Sequence, residues 1–115
     1  MDSLALARLA VAAAADKKAE DILLIDLRGI SEVADFFIIC NGSVSRQIDA
    51  IADNIAQTLK RNDKSLQIKR EGKAESGWIL LDGGDFIAHI FTPSQRKFYN
   101  LENLWKKAPV LLRVQ

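Results

Sequence analysis

The chain of 115 residues predicts an α/β fold: a single domain built on a mixed five-stranded sheet flanked by helices, in the order αββαβββα. Three observations carry that prediction. "DILLIDL" (21–27) and "ADFFIIC" (34–40) are short runs apolar on both faces, so the sheet they form needs cover on both sides. Ile48, Ile51, Ala52, Ile55 and Leu59 recur at helical spacing, which predicts an amphipathic helix. "WILLDGGDFIAHIF" (78–91) reads as two strands around a Gly-Gly turn.

The elements follow in order. Residues 3–18 are dominated by Ala and Leu, strong helix formers. Leu4, Ala7, Val11 and Ala14 make one stripe and Leu6, Leu9, Ala10 and Ala13 another, so this helix should pack closely on a larger layer. The two buried strands come next, joined by the loop "RGISEV". "NGSVSRQ" supplies turn and N-cap residues to the long helix, whose far face carries Gln47, Asp49, Asp53, Asn54, Gln57 and Lys60. "LQIKRE" (66–71) sets Leu66, Ile68 and Arg70 against Gln67, Lys69 and Glu71, a half-exposed strand, and "GKAESG" is a polar loop. The hairpin strands span 78–82 and 85–91. Thr92 as N-cap, Pro93 at the first helical position and Gln95 at the capping-box position start a short helix to about Tyr99. "LENLW" continues or restarts it before Pro109.

Sixteen basic residues face fifteen acidic ones, a net charge of +1. Gripping many phosphates calls for a basic excess, so the balance counts against nucleic acid as the main partner. The local exception is "KRNDKSLQIKREGK" (60–73), with six basic and two acidic residues, read as a solvated edge with a secondary RNA contact as the alternative. Cys40 is the only cysteine and lies in an apolar run, which fits a buried thiol in a reducing compartment. One Cys and one His cannot make a zinc site without carboxylates. The first residues carry Asp2 and no Lys, and Arg8 interrupts the apolar stretch, so no secretory signal is expected. No run approaches the roughly 20 apolar residues of a membrane span, and a cytoplasmic protein is expected.

With Gly83-Gly84 as the turn, Asp82 is expected opposite Asp85, Leu80 opposite Ile87, and Trp78 opposite His89. Ile79, Leu81, Phe86, Ala88 and Ile90 then face the core. Trp78, Leu80, Asp82, Asp85, Ile87, His89 and Phe91 share the other face, which reads either as an aromatic docking surface rimmed by carboxylates or as a second core beneath a helix. Catalysis is the poorer reading. Asp82 and Asp85 sit at an exposed turn, and there is no nucleophile elbow, P-loop or dinucleotide fingerprint. Gly42-Ser43 after a strand is reminiscent of nucleotidyltransferases, but the next strand lacks the paired acids that hold their two metals. No catalytic residue, metal or cofactor is assigned.

The stretches "DILLIDLRGISEVADFFIICNGSVSRQIDAIADNI", "GWILLDGGDFIAHIF" and "RKFYNLENLW" resemble the ribosomal silencing factor family, also called Iojap or RsfS. Ala34-Asp35-Phe36-Phe37 leading to Gly42-Ser43 and Arg46-Gln47, and Phe98-Tyr99 with Leu101-Glu102 and Trp105, carry the likeness over nearly the whole chain. The resemblance implies a nucleotidyltransferase-like fold without its catalytic acids. It also implies binding to the large ribosomal subunit at ribosomal protein number fourteen, blocked joining of the small subunit, and repressed translation when nutrients run short. The docking residues it implies are Trp78, Leu80, Asp82, Asp85, His89, Phe91, Arg96, Tyr99 and Glu102. Relatives often carry a bulky residue where this chain has Gly83-Gly84. An RNA-binding module on residues 60–73, a residual nucleotidyltransferase and a homodimer through the hairpin face are the alternatives.

Overall fold

A computed structural model describes residues 2–115. The chain runs α1 (Ser3–Asp16), β1 (Glu20–Asp26), β2 (Phe36–Asn41), α2 (Ser45–Asn62), β3 (Lys69–Lys73), a 3-10 turn (Ala74–Ser76), β4 (Trp78–Asp82), β5 (Phe86–Phe91), α3 (Pro93–Tyr99), α4 (Leu101–Leu104) and β6 (Val110–Val114). The sheet has six strands, not five, in the order β3-β4-β5-β2-β1-β6. Among the described residues only β2 and β5 pair in parallel, so the mixed α/β class is as expected.

The added strand is β6, which lines the open edge of β1 and is mostly exposed along its length. "VLLRV" has no alternation to announce it, and its extended form comes from the pairing with β1. The strand expected at 66–71 is displaced to Lys69–Lys73. Leu66 stays in the preceding turn, where its N–H donates to the Asp63 carbonyl and its own carbonyl accepts from Lys60 Nζ. Leu66 and Ile68 still pack on the core, so the alternation marked burial rather than a strand.

One face of the sheet is covered by α1 and α2. Phe36, Ile38, Ile51, Ile55 and Ile90 are fully buried there, each such side chain contributing about 1.5–3 kcal/mol. The small residues of α1 permit close approach: Ala7, Ala10 and Ala14 have no exposure, and Asn54 of α2 donates to the Ala13 carbonyl at 2.8 Å. Asp2 caps α1 by accepting from the Ala5 N–H. The opposite face holds a second apolar cluster, beneath α3, α4 and the segment that follows them, and this face carries the candidate site.

Candidate functional site

The hairpin turns one residue later than expected. Gly83 N–H donates to the Phe86 carbonyl, leaving Gly84 and Asp85 as the turn, with Gly84 at φ +90°. Trp78 is therefore opposite Phe91, Leu80 opposite His89, and Asp82 opposite Ile87. The register differs by two residues from the expected one, and since side chains alternate with period two the faces are preserved. Asp82 and Asp85, however, do not oppose each other. Asp82 Oδ1 accepts from the Gly84 N–H at 2.9 Å and holds the turn. The Asp85 carbonyl accepts from the Asp35 and Phe36 N–H groups, which ties the turn to β2. Phe86 explains the shift: its ring lies over Gly83, where a Cβ would stand 2.3 Å from a ring carbon.

The buried part of the mixed face is a second core. Phe91 and His89 are buried beside Phe37 and Ile39 of β2 and Leu23 and Ile25 of β1, with Leu101 and Trp105 packed over them. Trp78 and Leu80 are half-buried at the margin. Trp78 stacks on Phe91 with centroids 5.1 Å apart and meets Tyr99 at 4.4 Å. Its indole N–H donates to His89 Nδ1 at 3.2 Å. Among the described residues His89 Nε2 has no hydrogen-bond partner, and the ring meets Phe37 in a T-shaped contact at 4.6 Å. Burial pushes the His89 pKa down to about 4, so the imidazole is neutral at physiological pH and fixes Trp78 in place.

Arg96 is also buried, at 8% exposure. Its guanidinium donates to the Asn41 side-chain oxygen, to the Asp21 carbonyl at 2.6 Å, and to Glu102. It thereby joins α3 to β1, β2 and α4, and Glu102 accepts from it across the α3–α4 junction. Asp21 presents its carbonyl from a positive-φ residue at the irregularity in β1. Sequence reasoning missed Asn41, which ends an apolar run and gives no local sign of a polar task.

The exposed part of the surface is built from fewer residues. Tyr99 is 45% exposed, and beside it Phe98 is 77% exposed, with the rings edge-on at 5.1 Å. Leu104 of α4 is 69% exposed. Phe98 carries part of the family likeness, but neither it nor Leu104 was among the expected docking residues. The available signal was the adjacent pair Phe98-Tyr99 on a short helix, since neighbours on a helix cannot both face the sheet. Between β3, β4 and Tyr99 lies a groove of about 270 Å³ lined by Glu71, Gly72, Ser76, Trp78, Leu80 and Tyr99. Asp82 is half-buried and Asp85 exposed at the hairpin tip.

The Gly42-Ser43 loop is closed by the chain itself. Ser43 donates from both its N–H and its hydroxyl to Gln47 Oε1, at 2.7 and 3.1 Å, while Gln47 Nε2 donates to the Lys17 and Lys18 carbonyls. The expectation that this loop supplies an N-cap side chain is corrected: Val44 takes that position without a side-chain bond. On β3 the only acid is Glu71, and among the described residues no three His, Cys, Asp or Glu side chains cluster as metal ligands. In the basic stretch, Arg70 pairs with Asp49 and Asp53 at 2.6 and 2.8 Å, and Lys60 serves the Leu66 carbonyl. No described helix is long and apolar enough to cross a membrane.

Comparison with known proteins agrees with this geometry. The family model described as "Ribosomal silencing factor during starvation" matches residues 1–115. The chain is 44% identical to the ribosomal silencing factor RsfS of Bacillus subtilis over 111 residues, covering 96% of this chain and 92% of that protein. It is 36% identical to the chloroplastic protein Iojap of Arabidopsis thaliana, covering 93% of this chain and 44% of that longer protein. A crystal structure of a Chromobacterium violaceum protein superposes with a TM-score of 0.86 at 30% identity, covering 92% of this chain and 88% of the other. That family is a ribosome-directed regulatory one rather than a family of enzymes. By motif, fold and whole-length match, the chain belongs to the ribosomal silencing factor family.

Proposed function

We propose that this chain binds the large ribosomal subunit through the α3–α4 and β4–β5 face, at ribosomal protein number fourteen. There it covers the surface that meets the small subunit and lowers translation when nutrients are short. A cytoplasmic location is part of the same proposal. The observation that carries the reading is the exposed pair Phe98 and Tyr99 next to half-buried Trp78, with Leu104 exposed on α4, held on a scaffold pinned by Arg96 and His89. Aromatic anchors on a rigid base, rimmed by carboxylates such as Asp82 and Asp85, suit a basic protein partner better than a phosphate backbone. The family's printed description and the names of the relatives support the same direction.

The RNA-binding alternative loses ground because Arg70 and Lys60 are engaged within the fold. The test is subunit joining followed by light scattering. Preincubating large subunits with the protein is expected to prevent the scattering rise on adding small subunits. An unchanged rise at saturating protein overturns the proposal.

A further inference from the structure

The groove beside Trp78 has a chemistry of its own. Trp78 and Tyr99 meet at 4.4 Å with their planes inclined by 46°. The single indole N–H is committed inward to His89, so Trp78 offers the groove carbon and π surface rather than a donor. Glu71 is the one charged residue of the lining, is exposed, and among the described residues takes part in no ion pair. Lys69 and Lys73 share the face without lining the groove, Lys69 across from Asp82 and Lys73 across from Trp78.

Two kinds of occupant fit this lining poorly. An anion would meet the Glu71 carboxylate, and an apolar side chain would desolvate that carboxylate without compensation. A cation satisfies both the rings and the acid. We infer that the groove receives one lysine or arginine side chain of a protein partner, its charge set against Trp78, Tyr99 and Glu71. A volume of about 270 Å³ suits one long side chain rather than a helix or a nucleic-acid strand. That this partner belongs to the large ribosomal subunit rests on the reading above. The preference for a cation does not.

The test uses the full-length, isotope-labelled protein and short capped peptides that differ at one central residue: lysine, arginine or norleucine. The lysine or arginine peptide is expected to shift the Trp78 indole N–H resonance, and the norleucine peptide to leave it in place. Glu71→Gln should weaken the effect by about two- to fivefold, the scale of an exposed charge contact. In large-subunit binding, Tyr99→Phe should retain affinity and Tyr99→Leu should lose it, a pattern that apolar burial alone does not produce. Equal shifts from norleucine, or none from any peptide, overturn the inference even if large subunits bind normally. Cation-selective shifts without large-subunit binding uphold it and defeat the functional reading instead.

Discussion

Between Trp78 and Phe37, His89 accepts the indole N–H on Nδ1 and so carries its proton on Nε2, buried among rings. Protonating Nδ1 would break that bond and place a charge in an apolar cluster. The unfolded chain takes up this proton near pH 6.5 and the folded chain only near pH 4. The histidine's contribution to stability is therefore complete above pH 6.5 and is lost as pH falls toward 4. A gap of this size corresponds to about 3 kcal/mol. Urea unfolding at pH 7 and pH 4.5 should show wild type losing more stability than His89→Gln, which keeps an acceptor for the indole without the burial of a titrating ring. Equal losses in the two proteins would mean that His89 titrates normally.

At the scale of elements, the β4–β5 hairpin depends on Gly83 for space and on Gly84 for backbone conformation. A Cβ at Gly83 runs into the Phe86 ring, whereas at Gly84 there is open space and only the cost of a positive φ. Gly83→Ala should cost more than the roughly 1–2 kcal/mol expected of Gly84→Ala, as read by thermal unfolding. A smaller loss at Gly83 would show that Phe86 yields easily. The same hairpin shows what was legible in advance. Helical spacing located α2, and Thr92-Pro93 located the start of α3, because both signals are local. The faces of β4 and β5 followed from alternation, but the register did not, since it turned on one ring packing over a glycine. β6 was not legible because pairing with β1, rather than its own pattern, makes it a strand. For the site, Trp78 stood out as an aromatic residue on a face with acids, whereas Tyr99 came only with the family likeness. The buried role of Arg96 was hidden, since its partners Asn41 and Asp21 lie 55 and 75 residues earlier in the chain.

Over the whole molecule, a chain of near-neutral charge carries an exposed aromatic face with acids at the hairpin tip, while the Gly42-Ser43 loop is closed by Gln47. Asp85 is exposed at the hairpin tip, and its backbone rather than its side chain ties the turn to β2. Asp85→Asn should leave stability unchanged and slow association with large subunits at low salt. The difference should fade as screening shortens to about 8–10 Å near physiological ionic strength. Equal association rates at low salt would remove Asp85 from the encounter. The central claim, that the α3–α4 face docks on the large subunit and keeps the small one away, is tested most directly by Phe98→Ser combined with Leu104→Ser. Both side chains are largely exposed, so the melting temperature should hold. Large-subunit affinity should fall by about 2 kcal/mol or more, the level of an interface hot spot, and subunit joining should be restored in parallel. A folded double variant that still binds and blocks joining as wild type does would contradict the account.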